Sequence, residues 1–217
     1  MSRERVLGAA MRIADGEGLA AVTMRHVAAD LGVEAMSLYH HLRGKDALLD
    51  GLVEAVVAEI EDEIARAAGP DDWRSEVRRR CLSAREVMKR HPWAPGLLGS
   101  RSAIPPSVFG MYEVLLAAMV AGGFSYNLAH RAIHALGSMV LGFAQEVFSP
   151  AAAGGSTDVE VAEEDLAQMA EAFPHLTAMV ASELHDHADD PLGWCDSQIE
   201  FEFTLDLLLD GLDRQRR

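Results

Sequence analysis

Apolar side chains recur at helical spacing along almost the whole chain of 217 residues, and this pattern constrains the fold more than any other feature of the sequence. The first apolar stripe is formed by Val6, Ala10 and Ile13, and a longer one includes Leu52 and Val56. No convincing run of alternating β-branched residues is present, and no Asn-Gly or Asp-Gly turn joins two such runs. We therefore predict an all-α fold.

Charge is distributed unevenly along the chain. The sequence has 34 acidic and 19 basic residues, a net charge of −15, which argues against a simple nucleic-acid coat. Residues 1–50 contain six Lys or Arg residues against seven acidic ones, so almost all of the negative charge lies in residues 51–217. A face that binds DNA is therefore expected within the first 50 residues.

The sequence predicts neither a membrane span nor a secretion signal. The longest uncharged apolar run, residues 114–124, has about eleven residues, whereas a helix that spans a bilayer needs about 20. The N-terminus is charged and amphipathic and has no small-residue cleavage site. Cys81 and Cys195 lie far apart in the sequence, which suits reduced thiols. We expect a cytoplasmic protein without a membrane partner.

The first 50 residues have the spacing of a helix-turn-helix. A short helix is predicted over residues 23–31 with Thr23 as its N-cap, and Gly32 follows, where a positive φ suits a tight turn. A second short helix, predicted over 34–42, fits a major groove that is about 12 Å wide. The outward positions of this second helix are Ala35, Met36, Ser37, Tyr39, His40 and His41. On this pattern alone, a helical hairpin without a DNA role remains the alternative.

Further helices follow towards the C-terminus. Asp46 is predicted to cap a long helix, and a helix over residues 71–90 contains the basic run Arg78-Arg79-Arg80, for which we expect surface ion pairs. Residues 92–106 contain four prolines and are predicted to be irregular. The remaining helices on which the interpretation depends are predicted at 107–121, 125–148 and 196–213.

The helix-turn-helix region also resembles a known family. The stretch T-M-R-H-V-A-A-D-L-G-V-E-A-M-S-L-Y-H-H-L-R-G-K-D-A-L-L-D resembles the DNA-binding domain of the tetracycline-repressor family of bacterial transcription regulators. H-P-W, L-G-S-R, A-G-G-F-S, M-V-L-G-F-A-Q-E and the final F-x-F-x-L-D-L-L-L-D-G-L resemble, more weakly, its ligand-binding domain. The resemblance implies a DNA-binding domain over residues 1–48 and a helical ligand-binding and dimerisation domain over 49–217. It also implies a DNA-binding regulator and not an enzyme.

The resemblance assigns roles at the DNA. Arg25 would read a base edge, Met36 and Ser37 would face bases, and Tyr39 would contact a phosphate and a thymine methyl group. The positions expected to contact DNA are Thr23, Arg25, Met36, Ser37, Tyr39, His41 and Lys45. Ala35 and Met36 replace the Gln and Pro that open the recognition helix of the tetracycline repressor, so we expect a different operator.

The later helices are predicted to enclose an apolar cavity for a small-molecule effector, although most of its residues could equally fill a core. The expected ligand contacts are Met88, His91, Trp93, Tyr112, Leu115, His134, Met139 and Phe143. The helices at 125–148 and 196–213 have apolar residues on more than one face, which predicts a homodimer with a four-helix interface. A monomer in which both helices are central is the alternative.

No cofactor and no metal site is predicted. His130 and His134 have an i, i+4 spacing, but the intervening sequence does not form an H-E-x-x-H motif. Leu97 stands where the tetracycline repressor has a histidine that helps to hold its magnesium-bound drug, so magnesium and tetracycline are not expected. No catalytic motif is present, although an all-helical enzyme or a ligand-binding adaptor without a DNA role remains an alternative.

Overall fold

A computed structural model describes the chain. The described residues are 1–67, 69, 72–101, 105–143, 170, 172–175, 177–179 and 197–216. Across these ranges the secondary structure is helical, without a β-strand, as predicted. The chain divides into two compact units, one formed by residues 1–145 and 207–217 and the other by residues 146–206.

Three of the described helices, α2, α3 and α6, are short, and the others are longer. Their bounds are α1 Arg3–Glu17, α2 Met24–Asp30, α3 Ala35–Leu38, α4 Lys45–Arg66, α5 Trp73–Arg90, α6 Ala94–Ser100, α7 Pro106–Ala121, α8 Tyr126–Gly142 and α9 Ser197–Gln215. A single 3₁₀ turn, Leu19–Ala21, connects α1 to α2. None of the described helices is long and apolar enough to cross a membrane.

One apolar core joins α1–α3 to the helices that follow. Val6 of α1, Val27 of α2 and Leu38 of α3 are fully buried, and they share a cluster with Leu52 of α4 and Leu97 of α6. The helix-turn-helix therefore packs directly against α4 and α6. A displacement of α4 or α6 can for this reason reach α3 through close-packed side chains.

Side chains define where several helices begin. The Thr23 hydroxyl accepts a hydrogen bond from the backbone N–H of His26 at 3.1 Å, as expected for an N-cap, and Ser125 caps α8 in the same way.

The prediction that Asp46 caps α4 was wrong. Gly44, with φ +97°, occupies the N-cap position, and Asp46 lies in the first turn. A carboxylate is favourable in that turn because the helix dipole is positive there.

Two other local predictions were also wrong. Residues 94–100 form α6 although prolines surround them, because Pro95 lies in the first helical turn, where the missing N–H costs no hydrogen bond. Regular α3 ends at Leu38 instead of residue 42. The chain continues as a turn, in which the N–H groups of His41 and Leu42 both donate to the Leu38 carbonyl oxygen at 2.9 Å. Predicted helical residues 144–148 lie outside the described part of the chain.

Candidate functional site

The turn between α2 and α3 depends on Gly32. This residue has φ +67°, its N–H donates to the Ala29 carbonyl oxygen, and the next N–H, that of Val33, donates to the Ala28 carbonyl oxygen at 3.0 Å. A Cβ atom at position 32 would meet no atom within 4 Å. Glycine is therefore required by the left-handed backbone and not by lack of space.

The short helix α3 has one buried face and one open face. Leu38 is fully buried, whereas Met36 is 73% exposed and Tyr39 is 46% exposed. Tyr39 is thus no core residue. A methionine and a tyrosine side by side on an open helix surface suit apolar contact with base edges and a hydroxyl contact with phosphate.

Cationic and polar side chains surround this open face. Arg25 in the first turn of α2 and Lys45 at the start of α4 are exposed, and within the described residues neither forms an ion pair. Thr23 is exposed while it caps α2, and Ser37 and His41 are half-buried. The seven residues expected at the DNA thus come from α2, α3, the segments that flank them and the first residue of α4. Arg25 and Lys45 are available to phosphate or base edges.

A cluster of polar contacts connects α1 to the segment between α5 and α6. His91 is 7% exposed, and its Nδ1 atom lies 2.7 Å from a carboxylate oxygen of Asp15 in α1. Its Nε2 atom lies 3.1 Å from a carboxylate oxygen of Glu59 in α4. The indole N–H of Trp93 donates to the same Asp15 oxygen at 2.6 Å. We call His91, Trp93, Asp15 and Glu59 the His91 junction.

The His91 junction changes the interpretation of two predicted ligand contacts. His91 and Trp93 were predicted to face an effector, but in this structure their polar atoms bind carboxylates of α1 and α4. The sequence analysis did not identify Asp15 and Glu59 as partners of His91. They lie 76 and 32 positions from it along the chain, and no local sequence pattern relates residues so far apart.

A second ionic connection lies at the other end of α6. The Arg101 guanidinium contacts the carboxylate of Asp50 at 2.7 Å and that of Asp46 at 3.6 Å, and both acids belong to α4. The segment from His91 to Arg101 is therefore held to α4 at both ends. Because of these contacts, we expect the segment from His91 to Arg101 to move together with α4.

The other predicted ligand contacts differ in how deeply they are buried. Met88 and Met139 are buried, Tyr112, Leu115 and Phe143 are half-buried, and His134 is exposed. The helices that bear them, α5, α7 and α8, pack against one another. Arg85 was missed as a candidate. It is buried on α5, and its guanidinium donates to the Phe143 carbonyl oxygen at 3.2 Å.

An open cleft lies between the start of α5 and the end of α7. It has a volume of about 500 Å³ and is lined by Asp72, Trp73, Glu76, Ala118, Ala121, Gly122 and Arg216. None of the predicted ligand residues lines it. The Arg216 guanidinium lies 5.5 Å from the Trp73 ring and donates to the Gly122 carbonyl oxygen, so the Arg216 side chain forms part of the wall of this cleft.

The basic run on α5 forms ion pairs as expected, but its placement at the surface was wrong for Arg80. Arg80 is buried and bridges two helices, with its Nη1 atom 3.0 Å from Glu61 of α4 and its Nε atom 2.5 Å from Glu76. Arg79 also pairs with Glu76.

Burial raises the pKa of the Cys81 thiol on α5 to about 12, so this thiol stays protonated at physiological pH.

A helix-turn-helix with an exposed recognition helix flanked by cationic and polar side chains, followed by a helical domain, is the arrangement of a DNA-binding regulator. Residues 6–52 match the family described as bacterial regulatory proteins, tetR family, and residues 67–216 match the tetracyclin repressor-like C-terminal domain. The second match covers more than half of the chain, and the protein therefore belongs to the TetR family of transcriptional regulators. It is therefore a DNA-binding transcriptional regulator and not an enzyme.

Relatives and solved structures agree with this assignment. The chain is 30% identical over 217 residues to the HTH-type transcriptional repressor DrrR1 of Streptomyces coeruleorubidus, covering 98% of this chain and 77% of that protein. It is 33% identical over 143 residues to the class D tetracycline repressor of Escherichia coli, covering 65% and 64%.

Among solved structures, a possible TetR family regulator from Streptomyces coelicolor A3(2) matches with a TM-score of 0.75 and 27% identity over all of both chains. ActR from S. coelicolor in complex with actinorhodin matches with a TM-score of 0.73 and 27% identity, over 98% of this chain and 95% of that one.

Proposed function

We propose that the protein is a repressor that binds a palindromic operator as a homodimer and releases it when a small apolar ligand binds its C-terminal helices. The observation that carries the proposal is the open face of α3, where exposed Met36 and Tyr39 lie opposite buried Leu38. The name of DrrR1, a transcriptional repressor, supports repression. We place the boundary between the DNA-binding and ligand-binding domains near residue 48.

At the operator, each DNA-binding domain inserts α3 into a major groove. Arg25 reads a base edge, Met36 and Ser37 face bases, and Tyr39 contacts a phosphate and a thymine methyl group. Thr23, His41 and Lys45 hold the phosphate backbone. The exposure of Arg25 and Lys45, and the absence of an ion pair for either in the described part of the chain, support these roles.

Two copies are needed because one domain makes few phosphate contacts on a strongly acidic chain. The last helix, α9, supports a dimer, because Ile199, Phe203 and Leu207 are exposed at i, i+4, i+8 spacing. Burial of such an apolar stripe against a second copy stabilises a twofold interface. We expect α8 to take part in the same interface.

The effector binds among α5, α7 and α8, where Met88, Leu115, Met139 and Phe143 supply apolar surface and Tyr112 and His134 supply polar contacts. ActR, a structural relative, has been solved with (S)-DNPA and with actinorhodin, which supports a small-molecule ligand in this domain. Buried Leu97 in place of a histidine makes magnesium-bound tetracycline a poor candidate.

The His91 junction couples the ligand to DNA. A ligand that contacts His91 or Trp93 must compete with Asp15 and Glu59 for their polar atoms, and Asp15 belongs to α1. Movement of the segment between α5 and α6 therefore shifts α1, and the two recognition helices change their spacing. Only a ligand that binds the shifted arrangement more tightly can cause this change.

We expect the protein to act in the cytoplasm, where its operator DNA is accessible. The proposal is tested by selecting bound duplexes from a random pool and repeating the retention assay with a panel of metabolites. A shared inverted repeat, bound in a salt-sensitive manner and released by one class of compound, supports the proposal. The absence of any preferred duplex overturns it.

A further inference from the structure

One carboxylate oxygen of Asp15 is held by two donors from the segment that follows α5. The indole N–H of Trp93 donates to this oxygen at 2.6 Å, and the Nδ1 atom of His91 lies 2.7 Å from it. An ionised carboxylate only accepts hydrogen bonds, so Nδ1 is the donor in this contact. His91 and Trp93 therefore act together as a two-donor site for one carboxylate, which we call the His91–Trp93 donor pair.

The two sides of this contact differ in how deeply they are buried. The His91 side chain is 8% exposed, whereas the Asp15 side chain is 35% exposed and can return to water at little cost. The buried ring N–H of His91 needs an acceptor even when Asp15 has left, because an unsatisfied buried donor is costly. A group that replaces Asp15 must for this reason be an acceptor.

The charges around His91 favour an anionic acceptor. Glu59 of α4 lies 3.1 Å from the Nε2 atom of His91, on the other side of the ring. A carboxylate in the place of Asp15 leaves the number of charges around the ring unchanged. A neutral carbonyl group would form weaker hydrogen bonds, because charge-assisted ones are stronger. A cation would have to displace buried His91 instead of exposed Asp15.

The position of Asp15 in its own helix also favours its release. Asp15 lies in the last turn of α1, which contains no basic residue. The unpaired carbonyl groups at the end of a helix disfavour negative charge there. The donor pair thus holds Asp15 against the dipole of its own helix, and a carboxylate that is not part of α1 avoids this penalty once α1 has moved away.

We propose that Asp15 is a tethered occupant of a carboxylate site, and that the effector is an organic acid whose carboxylate takes its place on His91 and Trp93. This inference rests on the proposed function and names the class of its ligand, an apolar body that carries one carboxylate. Binding of the acid and attachment of α1 then exclude each other, which connects the effector directly to the DNA-binding domain.

The first test removes Asp15 and refills the site with acetate. In Asp15→Ala, about 0.1 M sodium acetate should raise the melting temperature by about 2–4 °C in a saturable manner, because a ligand that binds only the folded state stabilises it. Acetamide and sodium chloride at the same concentration should not, since neither supplies a carboxylate. Asp15→Ala combined with Trp93→Phe should lose the response, because this change removes the indole N–H and keeps an aromatic ring.

Asp30→Ala is the matched control for acetate. The Asp30 side chain is also 35% exposed, and it pairs at 2.8 Å with Arg12, which is a single exposed donor group and not a buried pair. Acetate should therefore give no saturable gain in Asp30→Ala. Equal gains in Asp15→Ala and Asp30→Ala, or no gain over acetamide in Asp15→Ala, overturn the proposal.

A second measurement uses the unchanged protein on its selected operator, with each carboxylic acid of the panel tested beside its methyl ester. The acid should release the operator and the ester should not. Asp15→Ala should bind the active acid at least about tenfold more tightly, because a tethered competitor acts at high effective concentration.

The two proposals fail in different ways. Release by the esters, alone or as well as by their acids, overturns the carboxylate site and leaves the proposed function standing. Release by no compound counts against the proposed function, and the acetate result then decides the carboxylate site by itself.

Discussion

The Nδ1 atom of His91 lies 2.7 Å from the carboxylate of Asp15, although the two residues are 76 positions apart in the sequence. Asp15 lies near the end of α1, the first helix of the DNA-binding domain, and His91 follows α5 directly. The contact connects the region that reads DNA with the region proposed to bind the effector.

Asp15→Ala should weaken both folding and operator binding. The change removes the acceptor shared by His91 and the Trp93 indole N–H, and an unsatisfied, largely buried polar group costs about 1–3 kcal/mol. We expect urea unfolding to show that loss. Operator affinity should fall because α1 is no longer held to the segment between α5 and α6.

The control is Asp62→Ala, which removes an exposed acid of α4 that has no recorded partner among the described residues. In the Asp15→Ala/His91→Ala double variant, the two effects on stability should be clearly less than additive, because both changes remove one contact. Full additivity would show that the two residues are not coupled.

Tyr39→Ala should weaken operator binding by about 1–3 kcal/mol while the melting temperature hardly changes. The reason is that Tyr39 is 46% exposed and lies on the open face of α3. Fluorescence anisotropy on the selected operator measures the first effect, and thermal unfolding measures the second. Leu38→Ala is the contrasting variant, because a fully buried leucine costs about 2–5 kcal/mol of stability when it is truncated. A large stability loss for Tyr39→Ala would place this residue in the core.

Gly32→Ala should destabilise the protein by about 1–2 kcal/mol, since a left-handed conformation is unfavourable for a residue with a Cβ atom. Gly96→Ala is the matched control. It lies in α6, has open space around its Cβ position and does not have a positive φ, so the change should be neutral or slightly stabilising. Equal effects of the two substitutions in urea unfolding would contradict the role assigned to the turn.

The sequence predicted the features that depend on neighbouring residues. Thr23 as a cap and Gly32 as a turn are local requirements of the backbone, and both predictions were confirmed. The bridge of Arg80 to Glu61 and the contact of His91 with Asp15 could not be predicted, because they depend on how distant helices pack. The prolines around α6 misled the prediction because their effect depends on whether they fall in the first turn of a helix.

The Cys81 thiol should react slowly in the folded protein. Its pKa is raised from 9.0 to about 12 by burial, so at a given pH it holds about a thousandfold less thiolate than an ordinary thiol. Iodoacetamide labelling in a Cys195→Ser background should therefore be slow until denaturant is added. Rapid labelling of the native chain would contradict this burial.

The same shift has a consequence for stability. The pKa of Cys81 is raised in the folded state. Its contribution to the free energy of unfolding is therefore fully present below pH 9 and is lost as the pH rises from 9 towards 12. The free energy of unfolding should accordingly fall less steeply with pH over that interval in Cys81→Ala than in the unchanged protein.

The central claim is that two copies of α3 enter major grooves at a spacing set by a twofold dimer. The most direct test inserts about five base pairs, half a helical turn, between the half-sites of the selected operator and measures affinity and stoichiometry. We predict two chains per duplex on the original operator and a loss of at least about a hundredfold in affinity after the insertion. Equal affinity for both duplexes, or one chain per duplex, would contradict the account.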